Sequence, residues 1–193
     1  MHFAKRAAVY FFGIAIFGAV QASPAAAGLF DVFKPKPNAN SSGRQLVAFA
    51  PAAQPGTIVV SFADRKLYYV LPNNRAIAYP IAGPKPGAGW SGTLSVTEKR
   101  VNPDWRPTAD MLRENPTLPA YVPGGHRMNP LGVRALYLGS STYRIHGTDA
   151  PWTIGQYASS GCIRMFNKDV IDLYNRVPLG TRVIVTWQAY RAA

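Results

Sequence analysis

The chain has 193 residues and carries 21 Lys and Arg against 9 Asp and Glu, a formal charge of +12. One cysteine and three histidines exclude an internal disulfide and leave too few soft ligands for a zinc cluster. The basic residues are scattered rather than gathered in runs. Behind an export-type N-terminus they read as attraction to an anionic surface or polymer, not to nucleic acid.

His2, Lys5 and Arg6 precede an uninterrupted apolar run over 7–20, followed by Ser23-Pro24-Ala25-Ala26-Ala27. Basic start, apolar run and small-x-small ending are the parts of a signal peptide, and the run falls short of the roughly 20 apolar residues that span a bilayer. Residues 1–27 are therefore expected to be a signal peptide cleaved after Ala27. The product is expected in the periplasm or cell envelope, with no stable membrane span after cleavage. No cysteine lies near the cleavage region, so a lipoprotein is excluded.

Residues 28–56 mix Pro, Asn, Ser, Gly and Ala with isolated apolar residues and read as a flexible linker. A folded domain is expected over 57–188. Strands are expected at 58–62 and 66–71, and at 75–81 after the turn residues Pro72-Asn73-Asn74; the pattern resumes at 92–97 as a β-meander. Five prolines punctuate residues 102–129, leaving room for one short helix over 108–114. So long a connection inside a compact domain is usually functional, and it reads as a flap over a groove with Gly124-Gly125 as its hinge. Strands follow at 133–138 and 142–146, the second delivering His146 at its end. Asn167 can cap a helix whose face is Val170, Ile171, Tyr174 and Val177, stopped by Pro178. A last strand covers 181–187. The domain is thus expected to be mainly β with one packed helix and a Pro-rich flap over the active site.

Chemistry concentrates in residues 143–167, which hold the single cysteine, Cys162, and one of the two histidines outside the leader, His146. An unpaired thiol in an exported protein is exposed to oxidation, so it calls for either deep burial or a chemical role. A thiolate–imidazole pair is a nucleophilic catalyst, and an inert buried cysteine is the alternative. Ser159-Ser160-Gly161-Cys162 presents consecutive N–H groups that an oxyanion needs, and Arg164 suits a carboxylate. His126, on the flap, is the rival base.

His146-Gly147 followed by Ser159-Ser160-Gly161-Cys162-Ile163-Arg164-Met165 resembles the signature of the L,D-transpeptidase catalytic domain, the YkuD family. The similarity extends to Asn129-Pro130-Leu131-Gly132 and to the segment from Gly147 to Gly155. It implies a β-sandwich or open barrel and an exported peptidoglycan enzyme that needs no cofactor or metal. Cys162 would attack the third residue of a stem tetrapeptide and expel D-Ala. An amine would then resolve the acyl-enzyme, forming a 3→3 cross-link or attaching an envelope lipoprotein. The resemblance implies His146 as general base, the main chain near Gly147 as holder of its tautomer, and carbapenems as acylating agents. Gly161 and Cys162 amides would bind the oxyanion, assisted by Ser160 and Arg164. Ser160 stands where the family often has a second histidine. The alternatives are an L,D-carboxypeptidase or endopeptidase trimming stems, and a non-catalytic wall-binding module.

Overall fold

The computed structural model describes residues 36–190 apart from 39, 51 and 52. The expected signal peptide and the first residues of the expected linker lie outside the described residues.

Strands β2 (Ile58–Ser61), β3 (Lys66–Leu71) and β4 (Arg75–Pro84) form an antiparallel meander. Between β3 and β4, Asn73 and Asn74 both adopt positive φ, 61° and 52°, the backbone of a tight hairpin turn whose twist matches its strands. β5 (Gly92–Val101) does not continue that meander as expected. It pairs instead with β10 (Arg182–Thr186) on one side and β6 (Arg134–Leu138) on the other. Pairing continues through β7 (Arg144–His146) to β9 (Ile163–Met165), and β9 pairs back onto β4. Eight strands, in the order β4-β3-β2-β10-β5-β6-β7-β9, thereby close into a barrel. Closure leaves no unpaired edge in that ring.

Two further strands attach to β4, which is long enough to serve different neighbours at its two ends. β8 (Tyr157–Ser159) joins its C-terminal end and β1 (Gln45–Ala48) its N-terminal half. β1 lies inside the stretch expected to be linker, so the ordered chain begins well before residue 57. The cause lies on the helix that follows β9. Asp169 is fully buried, and a buried carboxylate must be hydrogen-bonded. It accepts from the Ser42 hydroxyl and from the Gly43 N–H at 3.0 Å. Arg44 pairs with Asp172 at 3.0 Å, which fastens the same segment.

Alternate residues of the barrel strands, among them Ile58, Val60, Leu67, Tyr79, Leu136 and Ile145, point into one core. Helix α2 (Asn167–Arg176) supplies Val170 and Leu173 to it, and Val177, the residue after its last turn, joins them. Leu173, not the expected Ile171, completes the buried stripe. Each of these fully buried aliphatic side chains contributes roughly 1.5–3 kcal/mol of transfer free energy. α1 denotes the short helix Ala109–Glu114 in the 102–129 connection, where the Thr108 hydroxyl caps it by accepting from the Met111 N–H at 3.3 Å.

That connection has its own small core of Trp105, Val122 and Leu131, with Met111 and Leu118 against it. Buried Asn129 ties the connection together. Its amide donates to the Pro103 and Pro123 carbonyls at 2.8 and 3.1 Å, and its oxygen accepts from the Leu131 N–H at 2.9 Å. Gly124, expected at a hinge, is clamped: its N–H donates to Asp104 Oδ1 at 2.8 Å.

Candidate active site

Parallel pairing of β7 with β9 sets Ile145 beside Ile163 and His146 beside Arg164. Side chains alternate along a strand. Ile145 and Ile163 face the core, so Arg144, His146, Cys162 and Arg164 share the opposite face. They open onto a cleft of about 340 Å³. Trp105, Arg106, Met111 and Leu118 of the 102–129 connection line it together with Ser159 and Ser160. The connection therefore covers the thiol as a flap.

His146 is 3% exposed. Its Nδ1 lies 2.6 Å from the Gly147 carbonyl oxygen. A carbonyl can only accept, so Nδ1 carries the proton and Nε2 is left as the basic nitrogen. Burial drives the imidazole pKa down to about 3, and the Arg164 and Arg144 charges push the same way against the Gly147 carbonyl. Cys162 is half-buried. Burial raises its thiol pKa, opposed by Arg144 and Arg164. The resting pair is thus a neutral thiol and a neutral imidazole, not a thiolate–imidazolium ion pair. The thiol donates to the Thr142 carbonyl, at 3.8 Å, rather than to the imidazole.

The turn before Cys162 is held from three sides. Ser159 Oγ donates to the Cys162 carbonyl at 2.6 Å, and the Gly161 N–H reaches back to Ser159 Oγ at a long 3.4 Å. Trp90 Nε1 donates to the Gly161 carbonyl at 2.9 Å while its ring stacks on Tyr143 at 4.3 Å. Gly161 has φ +115°, and a Cβ there would sit 2.7 Å from the Tyr143 ring, so only glycine fits under the stack.

Behind His146 the packing is equally tight. Asn167, expected as a helix cap, is the first residue of α2, and Phe166 holds the cap position. The Asn167 side chain instead bridges the neighbouring strand end. Its Oδ1 accepts from the Thr148 N–H and its Nδ2 donates to the Thr148 carbonyl, both at 3.0 Å. A Cβ on Gly147 would come within 2.2 Å of Asn167 Oδ1. Gly147 is therefore required by the amide that fixes the His146 backbone.

Of the residues singled out from the sequence, His146, Cys162, Ser160 and Arg164 line one cleft, with Gly147 and Gly161 as backbone supports. His126 does not join them: it accepts from the Met128 N–H at 3.3 Å and lines a neighbouring cavity of the flap that lacks Cys162 and His146. Exposed Trp152 is not part of the cleft either. Arg144 was missed, although its spacing of two from His146 on one strand would have placed both on the same face. Among the described residues, no group of three or more His, Cys, Asp or Glu is arranged to hold a metal ion, and no helix is long and apolar enough to cross a membrane.

The imidazole shift has a consequence for folding. An unfolded histidine titrates near 6.5 and the folded one near 3, so acid favours the unfolded chain across that window. The melting temperature is expected to fall as pH drops from 6.5 toward 3, and His146→Gln should flatten that part of the profile. Identical slopes in both proteins would show that His146 does not contribute.

The class of domain is thus a closed β-barrel with a cysteine and a histidine at neighbouring parallel strand ends under a flap. The family model described as the L,D-transpeptidase catalytic domain, YkuD, matches residues 55–185, and the chain belongs to that family. It is 38% identical over 185 residues to the Escherichia coli K12 protein named "Probable L,D-transpeptidase ErfK/SrfK", covering 89% of this chain and 56% of that protein. The chain spans about half the length of the E. coli relatives it matches. A Brucella melitensis crystal structure titled "Probable carnitine operon oxidoreductase caia" is 42% identical, with TM-score 0.51 over 80% of this chain and 97% of that one. An L,D-transpeptidase structure from Mycobacterium smegmatis, 18% identical, covers 67% of this chain and 58% of that chain with TM-score 0.53. That last likeness concerns the fold alone.

Proposed function

We propose that the chain is an exported cysteine L,D-transpeptidase that acts on peptidoglycan stem tetrapeptides in the periplasm or cell envelope. The observation that carries this reading is the shared cleft of Cys162 and His146, with the histidine tautomer set by the Gly147 carbonyl. The Brucella protein is named an oxidoreductase, but a thiol, an imidazole and three guanidinium groups lining one cleft are groups for acyl transfer, and the family match favours it.

In the reaction, Cys162 turns from the Thr142 carbonyl toward His146 Nε2 as substrate enters. His146 takes the thiol proton while Sγ attacks the carbonyl of the third stem residue. Negative charge gathers on that oxygen, and the Cys162 N–H donates to it. The Gly161 N–H, held loosely by Ser159 Oγ, and the Ser160 hydroxyl assist. Arg164 lies beside the thiol to hold a donor carboxylate. Collapse breaks the amide bond; His146 returns the proton to the departing D-Ala amine and a thioester remains. An acceptor amine then attacks the thioester, His146 takes its proton, an amide forms, and the thiol is released. The acceptor is a neighbouring stem, giving a 3→3 cross-link, or a lysine of an envelope lipoprotein.

The test is mass spectrometry of the purified protein incubated with disaccharide-tetrapeptide. Dimers joined 3→3 with loss of D-Ala are the expected products. Tripeptide alone would move the assignment to carboxypeptidase. Absence of both, from this donor and with a lysine-ending lipoprotein peptide as acceptor, would reject the reading.

A further inference from the structure

A second cleft of about 320 Å³ adjoins the first and shares Trp105, Arg106 and Arg144 with it. Strand pairing builds it. Tyr137 on β6 lies opposite Arg144 on β7, with Arg100 close by on β5. The Arg100 and Arg144 guanidiniums both rest on the Tyr137 ring, 5.0 and 4.9 Å from its centroid, and Arg106 reaches in from the flap. Three like charges converging on one cleft repel one another. Two carboxylates offset part of that charge: Glu98 pairs with Arg100 at the exposed rim, and Asp104, which lines the same cleft, accepts the Gly124 N–H. Among the described residues no carboxylate lies within ion-pair distance of Arg106 or Arg144. Arg144 Nε is buried with no hydrogen-bond partner. An unpaired buried donor is costly, and an anion entering the cleft removes that cost through a charge-assisted bond.

We infer that the arginine cleft is the carboxylate subsite of the acyl acceptor, seating a carboxylate on Arg106 and Arg144 while the attached amine reaches the carbon bound to Cys162. This rests on the acyl-transfer reading above. With the donor carboxylate assigned to Arg164, the arginine cleft, which lacks Arg164 and Ser160 in its lining, is left for the acceptor. Arg144 and Arg106 line both clefts, so a carboxylate held there keeps its own molecule's amine beside the thioester. Two acceptors carry that chemistry. A stem diaminopimelate has a carboxylate on the carbon that bears its attacking amine, and a peptide ending in lysine has its chain-terminal carboxylate.

The experiment titrates the wild-type protein calorimetrically with two pairs of probes at low salt. The first pair is a stem tripeptide capped as an amide at its chain end, with the side-chain carboxyl of diaminopimelate free or amidated. The second is a lysine-ending peptide as free acid or amide. At least one free acid is expected to bind about tenfold tighter than its amide. The pair that discriminates identifies the acceptor. In Arg106→Gln, which alters an exposed side chain, that preference should shrink to within about twofold while amide binding stays unchanged. Equal binding of acid and amide in both pairs overturns the inference, as does an Arg106→Gln protein that loses acid and amide binding equally. None of these titrations requires turnover. D-Ala release from tetrapeptide, measured separately, fails if the acyl-transfer reading is wrong, whatever the titrations show.

Discussion

Cys162→Ala is expected to lower the rate of D-Ala release by roughly 10⁴-fold or more and to abolish the mass adduct formed with a carbapenem. The size of the effect follows from chemistry: no other thiol exists in the chain, and a serine hydroxyl is a far weaker nucleophile than a thiolate. Because Cys162 is only half-buried and its bond to Thr142 is weak, the substitution should barely alter the melting temperature. The neutral resting pair adds a pH signature. With the imidazole titrating near 3, His146 is already in its basic form at pH 5. The acylation rate of the wild-type protein should therefore show no acidic limb around pH 6.5, whereas an ordinary histidine base would lose activity there. An adduct persisting on Cys162→Ala, or an acidic limb centred near 6.5, would reject this assignment of roles.

Gly147→Ala is expected to damage both stability and turnover. The added Cβ would lie 2.2 Å from Asn167 Oδ1, 3.2 Å from the Val133 nitrogen and 3.3 Å from Val170 Cγ1. Two of those neighbours are fixed by the strand end and the helix, so the Asn167 amide must yield and release Thr148. The cost should be about 2–4 kcal/mol from overpacking and from stranded Thr148 backbone groups. Thr148 is buried, so water does not replace the lost partners. Displacing Gly147 also moves the carbonyl that holds His146 Nδ1, and turnover should fall more than stability alone accounts for. A double-mutant cycle with Asn167→Ala separates the causes. Asn167→Ala alone loses the two Thr148 bonds, roughly 1 kcal/mol each plus the desolvation of what they leave unpaired. Once that amide is gone, Gly147→Ala should cost much less than in the wild type. Strict additivity in the melting temperatures would show that the clash with Asn167 is not the mechanism.

Local rules were sufficient for much of the domain. The β-branched and aromatic runs over residues 58–60 and 66–71, the paired asparagines of the hairpin, the apolar stripe of α2 and the prolines of the flap are each properties of a few neighbouring residues, and each element stands where those rules place it. His146-Gly147 and Ser160-Gly161-Cys162 are likewise legible as strings. The reason each glycine is needed comes from elsewhere: from Asn167 for the first and from the Trp90–Tyr143 stack for the second. Those partners are distant in sequence, and nothing local announces them.

What tertiary structure alone decided has one physical source, the register between strands remote in the chain. Barrel closure depends on Ile81 and Ala82 meeting Met165 and Arg164, and β1 exists because β4 offers an edge and Asp169 needs donors. The sequence by itself determined the chemical groups, the thiol, the imidazole and the arginines, and the elements that carry them. Only the parallel pairing of β7 with β9 put Arg144, His146, Cys162 and Arg164 on one face. Only burial under the flap, by stripping water from that face, made the imidazole a neutral base and left Arg144 Nε without a partner.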